Sequence, residues 1–109
     1  MIERVVLIKL KPEYANPEHC STIAETTATT LQSAAGVRAL RVAIASDGRT
    51  RREWDLCIEV VFDDMDAVEH YRTDPVHRAY SAGFLRPMME KIHVYNFARH
   101  EPRESAGTR

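Results

Sequence analysis

Two histidines, two tyrosines, an aspartate and a proline share eleven positions in "HYRTDPVHRAY", residues 70–80. An imidazole with a pKa near ~6.5 can take a proton at neutral pH. A phenol can donate a hydrogen bond to an oxyanion. His77 and Tyr71 supply one of each. The same residues also suit a plain scaffold. Pro75 breaks or restarts the helical pattern, and His77 could tie that corner to Asn96 or to a backbone carbonyl. Tyr71 falls on the apolar side of its helix, where a core aromatic belongs. Asn96 is polar on an otherwise apolar strand face and so needs a partner, with His77 the natural candidate.

Other chemistries lack their patterns. Of the five histidines, no two sit at ligand spacing on one element with a matching acid. His70 and His77 have Pro75 between them, and His19, His70 and His100 read as exposed. No metal site is expected. Cys20 and Cys57 are isolated and without CxxC spacing, which reads as reduced, packed thiols. There is no GxGxxG, Walker loop or nucleophile elbow, so neither a nucleotide cofactor nor serine hydrolysis is expected. The expected cofactor is none.

The elements that must position His77 and Tyr71 follow from periodicity. "IERVVLIKLK" (2–11) reads as a strand with Val6, Ile8 and Leu10 on one face and Val5, Leu7 and Lys9 on the other. Residues 16–36 read as a helix, capped by Asn16, with Pro17 at its first position and Gly36 at its end. Its modest stripe is Cys20, Ile23, Ala24, Thr27, Leu31 and Ala34. Residues 37–45 form a second strand, followed by a hairpin-like loop over "SDGRTRRE" (46–53). "WDLCIEVVF" (54–62) is the strongest strand. Its alternation puts Trp54, Leu56, Ile58, Val60 and Phe62 on one face and Asp55, Cys57, Glu59 and Val61 on the other.

An aspartate-capped helix follows over 63–75, with Met65, Val68 and Tyr71 on one side. Residues 76–91 read as helical in pieces, interrupted by Gly83 and Pro87. Residues 92–98 make a fourth strand, Ile92, Val94 and Asn96 alternating with His93, Tyr95 and Phe97. The order β-α-β-β-α-β is the ferredoxin-like α+β pattern, an antiparallel four-stranded sheet with both helices on one face. The expected domain spans 1–98, with a polar tail over 99–109.

Two helices cover only one face of such a sheet. The other face would expose Val5, Leu7, Cys57, Val61, Tyr95 and Phe97, together with Asp55 and Glu59. At roughly 25 cal/mol per Å² of apolar surface, leaving it in water wastes several kcal/mol. A second copy packed sheet to sheet in two-fold symmetry is the expected solution, through a partly polar contact. His93 and Tyr95 would line it.

A net charge of −1 gives no general attraction to nucleic acid or anionic membrane, and neither is an expected partner. No leader pattern opens the chain and no apolar run approaches the roughly 20 residues that cross a bilayer, so the expected location is cytoplasmic.

The pieces "VVLIKLK", "GVRALRV", "WDLCIEVVFDD", "YRTDPVHRAY" and "VYNF", in this order and spacing, resemble the stress-responsive A/B-barrel (Dabb) family from Ile2 to Phe97. The resemblance implies a dimeric α+β barrel. It implies less about function, because the family holds plant stress proteins without assigned chemistry and also a polyketide cyclase.

In the cyclase-like members a tyrosine and a histidine at the spacing of Tyr71 and His77 flank a pocket between helices and sheet. The histidine there removes a proton alpha to a carbonyl, and the tyrosine supports the enolate. The acid that partners that histidine corresponds to Asn96, which can orient an imidazole but cannot stabilise an imidazolium by charge. Arg4 and Leu56 stand where the cyclase pattern has further histidines, and Asp74 replaces the first histidine of an "HPxH" form. Val6, Ile8, Leu31, Ile58 and Met88 are expected to line such a pocket.

The first expectation, implied by the resemblance, is a stress-related or small-molecule-binding homodimer of unassigned biochemical activity, its ligand an apolar or aromatic carbonyl compound. The second is a cofactor-free cyclase or lyase, and the third a cofactor-free monooxygenase of related architecture.

Overall fold

The computed structural model describes residues 1–100; beyond residue 100 the expected polar tail lies outside the described residues. Strands β1 (Ile2–Leu10), β2 (Ala39–Ile44), β3 (Leu56–Phe62) and β4 (Met89–Ala98) form one sheet in the order β2-β3-β1-β4. All neighbours are antiparallel. Helix α1 (Pro17–Leu31) follows β1, and α3 (Met65–Thr73) and α4 (Pro75–Arg78) follow β3. This is the ferredoxin-like order expected, with two additional short elements, a 3₁₀ turn (Pro12–Tyr14) and helix α2 (Gly48–Glu53).

Period-two alternation sets the inner face. Ile8, Leu56, Ile58, Val60 and Phe62 are buried there against Ile23 and Leu31 of α1 and Val68 and Tyr71 of α3. The cross-strand pairs Val6–Ile58 and Ile8–Leu56 keep the inner residues in register. Thr27 is the polar member of the α1 stripe. Its hydroxyl donates to the Ile23 carbonyl at 2.7 Å and accepts from the buried Tyr80 hydroxyl at 2.6 Å, so the helix carries it without an unpaired group.

Several local expectations are corrected. Residues 46–53 are not an open loop: the Asp47 carboxylate accepts from the Thr50 N–H at 2.7 Å and starts α2, and Arg51 and Arg52 suit its last turn. Helix α1 ends at Leu31 and not at Gly36. Gly36 instead makes the turn into β2 at φ 81°, where a side chain would be strained. Met65 is exposed, since only Val68 and Tyr71 of the expected stripe reach the core.

Gly83 does not interrupt the segment after α4, which runs as a π-helical stretch (Ala79–Leu85) and a 3₁₀ turn (Arg86–Met88). β4 begins at Met89, three residues earlier than its alternation suggested.

The alternation of β3 also fails at its start. Trp54 is not on the helix-covered face: its ring lies 4.9 Å from that of His93 and 4.6 Å from the Lys91 ammonium. Both belong to the outward register of β4, paired with Leu7 and Lys9. Asp55 is buried and not part of the outer surface. Its Oδ2 accepts from the Leu10 N–H at 2.9 Å and lies 3.1 Å from the Lys9 ammonium. Trp54 belongs to the end of α2, donating its N–H to the Thr50 carbonyl at 2.8 Å, so the strand's alternation begins only at Leu56.

Candidate functional site

Asp74 does two jobs at the corner between α3 and α4. Its N–H closes α3 on the Tyr71 carbonyl, and its side chain accepts from the Val76 N–H at 3.0 Å to open α4 at Pro75. This corner swings His77 back over α3, and its ring comes to 4.3 Å from that of Tyr71. Tyr71 in turn packs on Phe62 at 4.9 Å, which roots the pair in the core.

His77 and Tyr71 line a cleft of about 120 Å³ between the helices and the inner face of β1, β3 and β4. Val6 and Ile58 form its floor, with Arg4 at one end and Tyr80, Ser81 and Leu85 of the π-helical stretch along its wall. Ile92 and Val94 line the β4 side and remain partly exposed, because no helix crosses that edge strand. Of the residues expected to line a pocket, Val6 and Ile58 do so. Ile8 and Leu31 are core residues, and Met88 packs against that core.

The electrostatics of the cleft follow from burial. Burial, and secondarily the Arg4 charge, hold the His77 pKa below its ordinary value, partly opposed by the main chain at Arg72 and by Asp74. Burial pushes the Tyr71 phenol up to about 12, with Arg4 pulling the other way. At neutral pH the cleft therefore offers a neutral imidazole and a protonated phenol. Among the described residues, Nδ1 of His77 is the one buried side-chain nitrogen or oxygen without a hydrogen-bond partner.

Asn96 does not serve His77. Its Oδ1 accepts from the Arg4 guanidinium at 3.1 Å, and the two residues face each other across β1 and β4. The expected His77–Asn96 pair is replaced by Arg4–Asn96. Sequence reasoning named Arg4 only as a departure from the cyclase pattern and gave it no role in the cleft. The available signal was phase: Arg4 falls on the same face as Val6, Ile8 and Leu10, an unusual place for a charge.

Larger hollows lie elsewhere. One of about 330 Å³ sits beside Asn16, Cys20 and Asp55, and one of about 270 Å³ lies on the outer sheet face. The buried carboxylate of the first is already bonded, and the second is flanked by the Arg41–Glu59 and Arg99–Glu3 ion pairs. Burial also raises the Cys20 thiol, which makes it a poor nucleophile. Among the described residues no three His, Cys, Asp or Glu side chains gather as a metal site, and no helix is long and apolar enough to cross a membrane.

The fold and cleft thus define a ferredoxin-like α+β domain with a polar notch between helices and sheet at Tyr71 and His77. The chain belongs to the stress responsive A/B barrel domain (Dabb) family, which matches residues 2–98. No curated protein sequence matches the chain. Solved structures do. A protein of Arabidopsis thaliana superposes with a TM-score of 0.77 at 18% identity, covering 94% of this chain and 98% of its own. A dimeric ferredoxin-like protein of unknown function from Bacteroides fragilis gives 0.70 at 19% identity, covering 88% and 93%. A hydroxynitrile lyase from Passiflora edulis gives 0.74 at 14% identity, covering 93% and 94%. At these identities the likeness is one of fold.

Proposed function

We propose that the chain forms a homodimer whose subunits each bind a small apolar or aromatic carbonyl compound in the Tyr71–His77 cleft. The observation that carries the binding site is Nδ1 of His77, without a hydrogen-bond partner among the described residues and shielded from solvent in a cleft that a phenol and a guanidinium also line. A buried polar atom without a partner costs about 1–3 kcal/mol, and a ligand that bonds it recovers that energy. The apolar residues around it supply the remaining contact.

The homodimer rests on the outer sheet face. Phe97 and Tyr95 are 58% and 46% exposed there, in line with Val5, Leu7, Cys57 and Val61. This face, apolar in large part but crossed by the Arg41–Glu59 and Arg99–Glu3 ion pairs, favours a partner through a partly polar contact, and the Bacteroides fragilis relative with this fold is dimeric.

A second reading, that the cleft turns its ligand over, is favoured by the lowered His77 pKa beside a protonated Tyr71. A neutral imidazole can accept a proton from carbon alpha to the carbonyl, the bonding pair passing into an enolate. The Tyr71 hydroxyl and the Arg4 guanidinium would hold the resulting oxyanion. A hydroxynitrile lyase from Passiflora edulis shares this fold, which is consistent with a lyase reading and does not assign one.

The test is a thermal-shift panel of small aromatic aldehydes, ketones and esters against wild type and His77→Ala. Compounds that stabilise the wild type are expected to lose that effect in the variant. Equal shifts in both would remove His77 from the site, and a wild type indifferent to the whole panel would contradict the binding reading.

A further inference from the structure

Arg4 projects from the middle of the sheet onto the helix-covered face and is 8% exposed. Its recorded bond goes to a neutral acceptor, the Asn96 amide, and among the described residues no carboxylate lies within ion-pair distance of it. Glu69 acts on it only weakly and through space, and Arg72 opposes that effect. A guanidinium has five N–H donors, and a desolvated cation without a counter-charge is costly. The Tyr71 ring, 6.0 Å from the guanidinium carbon, offers only partial compensation through its π face.

We propose that the cleft ligand is a small carboxylate, an aromatic or similarly compact acid, whose anionic group pairs with Arg4 while its remaining polar atoms meet Tyr71 and His77. This rests on the cleft reading above and narrows it to an anionic ligand class. Three features fit. The charge needed is supplied by Arg4, the arginine lining the cleft, which has no ionic partner among the described residues. A guanidinium matches a carboxylate in two-point geometry. The cleft, at about 120 Å³, is smaller than the roughly 150 Å³ that holds a benzene ring, so only a compact acid that extends through the open side is accommodated.

Calorimetric titration with benzoate and with its neutral isostere benzamide tests the idea, on wild type and on Arg4→Gln. Wild type is expected to bind benzoate about tenfold more tightly than benzamide, the usual advantage of a charge-assisted bond. In Arg4→Gln the preference should collapse while benzamide binding persists. Benzamide binding as tightly as benzoate to wild type overturns the carboxylate assignment and leaves the cleft reading intact. Undiminished benzoate preference in a folded Arg4→Gln protein removes Arg4 from the site.

Should that variant not fold, the wild type still decides. Benzoate must shift the His77 ring signals in the proton NMR spectrum, and their silence overturns the proposal. Failure of both ligands to bind overturns it as well, whereas the neutral panel described above judges the cleft separately.

Discussion

His77 stacks on Tyr71 at 4.3 Å between ring centres, yet its buried Nδ1 bonds to nothing among the described residues. The stack fixes the imidazole by packing, and under the proposed reading this nitrogen is the atom that a ligand would bond. Tyr71→Phe retains the ring contacts with Phe62 and His77 and removes only the hydroxyl. Ligand affinity is expected to fall about three- to tenfold, one neutral hydrogen bond, with little change in melting temperature. Calorimetry on ligands found with the wild type reads the loss.

The His77 pKa sets a pH signature. Its folded value lies below the ordinary 6.5, so the unfolded chain binds the proton more readily. The stability this group lends is complete above about pH 6.5 and declines as pH falls below that value toward the folded pKa. The charges facing it are Arg4, Arg72 and Asp74. In denaturant titrations, His77→Gln should flatten the stability profile as the pH falls below about 6.5. An unchanged slope would place the acid sensitivity on another group.

Asp55 is a structural carboxylate. Asp55→Ala strips the Leu10 N–H of its acceptor and Lys9 of its ion-pair partner. The expected cost is about 1–3 kcal/mol, measured as a shift of the urea midpoint at constant slope. Lys9 also donates to the Arg51 carbonyl at 2.7 Å, so α2 should fray with it.

Asp55 also marks where the sequence stopped being readable. The inner face from Leu56 to Phe62 was visible in it because alternation and hydrophobicity agree at every step. Trp54 fits the same alternation, but it belongs to the end of α2, a helix announced only by the Asp47 cap. Its ring can thus cross to Lys91 and His93. Burial of Asp55 depends on Lys9 and Leu10, which are distant in sequence, and no local pattern encodes that.

The candidate site divides in the same way. The spacing of Tyr71, Pro75 and His77 predicts a corner that brings the two rings together, since the proline and the Asp74 cap act locally. The choice of partner for Asn96 is a tertiary matter. Strand register places it opposite Arg4, and a guanidinium outcompetes an imidazole for an amide oxygen.

The outer face gives a further prediction. Leu7 lies at its centre, paired with Cys57 and His93. Leu7→Asp should convert a species of twice the chain mass into one of 12.4 kDa in light scattering, while far-ultraviolet circular dichroism stays the same.

The most direct test of the cleft is the His77 imidazole itself, followed by NMR as a stabilising ligand is titrated into wild type. The ring signals are expected to move in proportion to occupancy, and the same ligand should bind Tyr71→Phe more weakly. A ligand that saturates the protein while the His77 signals stay still would contradict the account.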